Sequence, residues 1–259
     1  MKKTFLLIVI VAVVIASCKK DPVDEPATPT PPAATTGSLK IEFENMVDTN
    51  ELVLNSETYV NANNDSFTVS KFKYYISNIK LTKSDGTIFT ESESYHLIDE
   101  DVTLSKVLTL SGVPFGNYTA ISFMIGVDST RNVSGAQSGA LDPAKGMFWS
   151  WSSGYIMAKF EGNSPSSPAT NHGLVLHMGG FSGTNSVLKT LTPSFNGSMA
   201  NVSSTVTPEI HLKADIAEWF KSPTTVSFAT THTIHMGGAA AKSIADNYAD
   251  MFSVEHIHN

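Results

Sequence analysis

The tetrapeptide His177-Met178-Gly179-Gly180 recurs as His235-Met236-Gly237-Gly238, 58 residues further on. Imidazole and thioether together are the donors that soft, monovalent copper accepts when thiolate is absent. The surroundings of the two copies do not match, so the identity is not the mark of a true internal repeat. A second histidine motif, His256-Ile257-His258, closes the sequence. In a strand its two imidazoles point the same way, which is the spacing of a metal chelate; in an unordered tail they hold nothing. Three other histidines read differently. His211 falls on the solvent face of an alternating strand and is discounted as a ligand, His172 follows a Ser/Pro-rich loop and is expected to be exposed, and His96, beside Tyr95 and Leu97, reads as structural.

Aromatic chemistry concentrates in Gly146-Met147-Phe148-Trp149-Ser150-Trp151-Ser152-Ser153-Gly154-Tyr155. Trp149 and Trp151 lie two apart and would share one face of a strand. Either the indoles pack between sheets, or the glycine-flanked segment presents them for function. One cysteine in 259 residues excludes intramolecular disulfides, thiolate-rich zinc or iron–sulfur sites and, once that cysteine is consumed by lipid as argued below, a blue-copper centre. No Gly-x-Ser-x-Gly, His-Glu-x-x-His or phosphate-cradling glycine loop is present. Asp99-Glu100-Asp101 reads as a solvated turn, and Asn61–Asp65 lacks the spacing of a calcium loop. A formal net charge of −7 argues against nucleic acid as the main partner.

The elements that must position these residues are strands. Leu39, Ile41 and Phe43 alternate with Lys40, Glu42 and Glu44, and Val206, Ile210 and Leu212 oppose Thr207, Glu209, His211 and Lys213. Phe72, Tyr74 and Ile76 share a face, but Ile79 and Leu81 fall out of phase, which predicts a bulge near Ser77-Asn78. Ser84-Asp85-Gly86-Thr87 has hairpin chemistry, and the apolar run Tyr118–Val127 predicts a central strand covered on both faces. Asp215–Lys221 offers a turn or two of helix, and Ala239–Phe252 a longer one. The whole predicts an all-β fold, an antiparallel β-sandwich with short helical insertions and one longer helix near the C-terminus.

Residues 1–17 read as a lipoprotein signal peptide: Lys2-Lys3, an apolar stretch from Phe5 to Ile15 too short to span a bilayer, then Ile15-Ala16-Ser17-Cys18, which resembles a bacterial lipobox. Cys18 is then the lipidated residue, and Lys19 after it favours the outer membrane. Residues 18–37, with five prolines between Pro22 and Pro32, form a tether. The folded domain is residues 38–259. Removing the leader leaves 15 basic and 24 acidic side chains, a net charge of −9, and a domain without any thiol.

Several of these segments resemble the MbnP-like copper-binding proteins: Lys73-Tyr74-Tyr75-Ile76-Ser77-Asn78-Ile79, Gly126-Val127-Asp128 with Asn132, Leu141-Asp142-Pro143 leading into the Trp-x-Trp-x-x-Gly-Tyr block, Lys159-Phe160-Glu161-Gly162, and His177-Met178-Gly179. The resemblance spans most of Leu39–Val254. It implies an extracytoplasmic protein of a Gram-negative bacterium, periplasmic or surface-exposed, that binds copper and is not an enzyme. It further implies a MauG-like dihaem peroxidase as partner, which oxidises a tryptophan to kynurenine, with Trp149 and Trp151 as the candidates. His177 matches the family's His-Gly step and is the first choice as ligand; His235, Met236, His256 and His258 come next, with copper, as Cu(I), the expected cofactor. The expected role is sequestration or delivery of copper from a lipid-anchored, outer-membrane position. The competing expectation is a surface glycan-binding or adhesion module whose paired indoles stack on sugars.

Overall fold

The computed structural model describes residues 35–150 and 153–259. The leader, Cys18, most of the tether, and Trp151 lie outside the described residues. Along the chain the elements that matter here are β1 (Thr36–Val47), β2 (Ser66–Lys83), β3 (Tyr95–Asp99), β4 (Val107–Pro114), β5 (Gly116–Ile125), α1 (Ser129–Asn132), β6 (Phe148–Ser150), β7 (Ala158–Asn163), β8 (Gly173–Met178), β9 (Glu209–Asp215), β10 (Thr233–Ile234), α2 (Ala239–Tyr248) and β11 (Phe252–His258). Among the described residues the chain is mostly β, as its alternating pattern predicts. β1 already takes in Thr36 and Gly37.

Two sheets face each other. In the smaller, β11, β9 and β1 lie side by side, with β4 on the far side of β1; in the larger, β5, β2, β7, β8 and β10 follow in that order. Their inner faces meet through aromatic rings. Phe43 of β1 and Phe252 of β11 meet Phe123 of β5 at centroid distances of 6.3 and 5.1 Å, all edge to face. Trp219 is fully buried against Phe72 and Tyr248. Edge-to-face pairing matches each ring's positive rim to a neighbour's negative face.

Not every pairing is antiparallel. β1 runs parallel to β9, and β8 runs parallel to β10. Both are joined by long chain excursions, a pairing that local alternation does not report. The bulge at Ser77-Asn78 is present: the β2–β5 register shifts there, and Asn78 has a φ of 55°. The helix predicted over Ala239–Phe252 ends at Tyr248, because Phe252 and Val254 enter a ladder with Ala214 and Leu212. That ladder also makes the last residues an ordered strand. β5 buries only one face: Tyr118, Ile121, Phe123 and Ile125 point inward, while Thr119, Ala120, Ser122 and Met124 are partly or fully open. Its apolar run therefore overstates its burial. Of Asp99-Glu100-Asp101, only Asp101 is an exposed turn residue. Asp99 is buried 2.6 Å from Lys73, and Glu100 accepts from Asn45 and Lys106. Asp65 is buried within a local network that includes Asn63 and the Phe228 amide.

Candidate metal centre

β7 and β8 pair antiparallel with Lys159 opposite His177, and β8 pairs with β10 through Val175 with Thr233 and Leu176 with Ile234. The next residue on each parallel strand is a histidine. Neighbours in register on parallel strands point the same way, and the His177 and His235 rings stand 5.9 Å apart at 77°. The two His-Met-Gly-Gly segments thus lie alongside each other, and their glycines are what let them do so. A Cβ on Gly237 would come within 2.9 Å of the Gly179 carbonyl oxygen, and one on Gly179 would overlap the Trp149 ring carbons Cζ3 and Cη2. The backbone approach requires residues without side chains.

Trp149 is therefore seated on Gly179, two residues from His177. Its own strand is fixed by the motif residues around it. Lys159 Nζ donates to the Gly146 carbonyl at 2.5 Å, and the Ile156 and Met147 backbones are joined at 2.9 Å. Gly154 has a φ of 74°, and buried Asn132 accepts the Tyr155 N–H at 2.8 Å. Asp128 in turn caps α1 and accepts from Tyr95 and Asn78.

Electrostatics favour a neutral, oriented His177. Burial pushes its pKa below the usual imidazole value, against the opposing pull of Glu161. Its Nε2 lies 2.9 Å from Glu161 Oε1. An ionised carboxylate only accepts, so Nε2 carries the proton and Nδ1 keeps its lone pair for a metal. Burial alone would raise Glu161, but the bond from His177 and the charges of Lys71 and Lys159 outweigh it and hold the carboxyl below its usual range.

The five candidate ligands fall on two sheets. His177, half-buried, and His235, exposed, share one site; Met236 beside them is 69% exposed, and Met178 points into the core. His256 and His258 lie on β11 of the other sheet, and there the structure adds His211, which the sequence reading set aside. His211 is half-buried, and its Nδ1 lies 2.9 Å from Glu42 Oε2. Nothing local marks it, because its partners come from two other strands, β1 and β11, both distant in sequence. The same holds for Glu161, whose role beside His177 depends on the β7–β8 pairing. His172 is exposed, and His96 is tied to Glu91 at 2.8 Å.

These features define an all-β sandwich carrying paired histidines on one sheet beside a glycine-seated tryptophan. The family model for MbnP matches residues 36–237, and the chain belongs to the MbnP family. Its fold is similar to that of MbnP from Methylosinus trichosporium, at 12% identity, a TM-score of 0.52, and coverage of 80% of this chain and 83% of that one. No curated protein sequence matches. Among the described residues no helix is long and apolar enough to cross a membrane.

Proposed function

We propose that this is an extracytoplasmic copper-binding protein that sequesters copper or hands it on, held at the outer membrane by a lipid on Cys18. One observation carries the reading: parallel pairing of β8 and β10 sets the His177 and His235 imidazoles side by side, 5.9 Å apart, next to Trp149. The donor set fits the ion. His177 is held neutral and oriented by Glu161, two imidazoles suit a metal that takes few ligands, and Met236, next in the chain to His235, offers a thioether. Copper is cargo here, and the chemistry is binding, not turnover. Trp149 is partly exposed and hence open to long-range oxidation by a docked MauG-like dihaem peroxidase; Trp219, fully buried, is not. A kynurenine at Trp149 would add a carbonyl and an aromatic amine beside the histidines.

The test is an anaerobic Cu(I) competition titration of the full chain without a polyhistidine tag. One Cu(I) per chain is expected, with His177→Ala and His235→Ala each weakening it at least tenfold. Loss of all copper on dialysis, or binding indifferent to both substitutions, overturns the reading. Intact mass and absorbance of protein purified from its native host report whether a tryptophan has become kynurenine. A sugar-dependent change in tryptophan fluorescence, with no copper retained, would favour the glycan-binding alternative.

A further inference from the structure

We infer that the outer face of the smaller sheet carries a second metal site, built from His211, His256 and His258, that takes a divalent late first-row ion such as Zn2+ or Cu2+. It shares no residue with the His177–His235 centre and lies on the other sheet.

The site begins with a bulge. Phe252 and Val254 of β11 point into the core, and strict alternation would send His256 and His258 after them. The β9–β11 register shifts instead: His211 faces His256 while Leu212 faces Val254, so Glu255 is an extra residue. The inserted residue inverts the phase. Ile257 now packs toward the core, and both histidines face solvent. Parallel pairing of β1 with β9 completes a row, Glu42 opposite His211 and His211 opposite His256, with His258 opposite Glu209.

The side chains converge. The His211 and His256 rings stack at 4.1 Å, His258 stands edge-on to both at 5.0 and 4.5 Å, and one ligand nitrogen from each lies within 4.8 Å of the other two. The Nε2 atoms of His256 and His258 are 3.0 Å apart. Two nitrogens bound at the usual zinc–imidazole length are separated by about 2.9 Å at a right angle and about 3.4 Å in a tetrahedron, so this pair is already at chelating distance. His211 completes the set, with a nitrogen within 4.8 Å of both.

Glu42 accepts from His211 Nδ1, so in the neutral ring Nε2 is the metal-binding atom, and that Nε2 is buried with no hydrogen-bond partner among the described residues. A buried nitrogen without a partner is costly unless something binds it. His256 repeats the arrangement more loosely, with Nδ1 3.4 Å from Glu255. Carboxylates behind the distal nitrogens are the usual outer support of metal-bound histidines. A cleft of about 370 Å3 reaches His211 and is lined by Glu42, Glu44 and Glu51 against Lys106, which is itself paired with Glu100, so its lining is net negative and suits a cation. Three imidazoles with carboxylates behind them, and no thiolate or thioether, suit Zn2+ or Cu2+ and disfavour hard oxygen-seeking ions.

The experiment uses the full chain, untagged and stripped with chelator, titrated aerobically with Zn2+ by calorimetry and with Cu2+ by electron paramagnetic resonance. One divalent equivalent is expected that persists in His177→Ala and His235→Ala and weakens at least tenfold in His211→Ala and in His258→Ala. Glu42→Gln should weaken it about 10- to 100-fold, the usual effect of losing such a support. The His258 side chain is exposed, so His258→Ala keeps the fold, and circular dichroism verifies this for each variant. Substoichiometric Cu2+ should broaden the ring-proton resonances of His211, His256 and His258 first. Divalent binding unchanged in His211→Ala and His258→Ala, or abolished by the His177 and His235 variants alone, overturns the site. Neither outcome touches the Cu(I) reading of the other sheet.

Discussion

Trp149 rests its six-membered ring on Gly179, two residues along β8 from His177, and the contact has no room for even one methyl group. Gly179→Ala should therefore displace the indole without touching a ligand. Overpacking of this kind costs about 1–3 kcal/mol, expected here as a lowered thermal midpoint. A shifted tryptophan emission and a weaker Cu(I) titration should accompany it. Gly173→Ala, at the start of β8, is the control for steric overlap, because its φ is −65° and a Cβ there meets only the Thr170 carbonyl oxygen at an ordinary 3.4 Å.

His177 should titrate below an ordinary imidazole. Burial is the dominant cause, Lys159 and His235 add to it, and Glu161 opposes it. A histidine whose pKa falls on folding takes up its proton more readily in the unfolded chain. Its contribution to stability is thus full above the unfolded value near 6.5 and declines as pH falls below it. Proton resonances of the ring should show a midpoint below 6.5. In Glu161→Gln the midpoint should fall further, since the negative charge that raises it is gone and only a neutral acceptor remains. Copper affinity should drop about 10- to 100-fold in the same variant, a readout that loss of packing alone would not couple to the titration.

Asn132 anchors the hairpin in which Gly154 and Tyr155 pair with Ser150 and Phe148 of β6, on either side of Trp149 in the ladder. Its side chain is buried and accepts the Tyr155 N–H at 2.8 Å, immediately beside the positive-φ Gly154. Asn132→Ala leaves that amide without its partner, at a cost of about 1–3 kcal/mol. Faster hydrogen exchange at Tyr155, with His258 exchange unchanged, would place the loosening at the hairpin. Unchanged exchange at Tyr155 would show that the hairpin is held by other contacts.

The parts of this molecule that were legible in its sequence are those encoded locally. Leu39, Ile41 and Phe43 announce β1, and the phase slip after Ile76 announces the bulge at Asn78, because side-chain period and core face are read from consecutive residues. His177 and His235 were legible as chemistry but not as neighbours. Their juxtaposition comes from a parallel pairing across an excursion of 58 residues, and the glycines that follow each are the only trace of the close approach. His211 was set aside for a reason that was correct for one strand, since it does face outward. What makes it interesting is supplied by Glu42 and His256 on two other strands. The bulge at Glu255 was silent for the same reason: Phe252, Val254, His256 and His258 are in phase in the sequence, and only the ladder with β9 breaks them apart.

The end of β11 is held by more than strand pairing. Asn259 accepts the Asn201 N–H at 2.6 Å and donates to the Met199 carbonyl at 2.9 Å, so the residue after His258 is tied down on both sides of its amide. Each such bond contributes about 0.5–1.5 kcal/mol net. Asn259→Ala removes both while leaving all three histidines in place. If His258 is held for chelation, that substitution should increase the mobility of its ring, seen as narrower ring-proton lines, and weaken Zn2+ severalfold. The Cu(I) titration should stay as it was, because His177 and His235 belong to the other sheet. An Asn259→Ala protein that binds Zn2+ as tightly as the parent would show that the β9–β11 ladder alone positions His258.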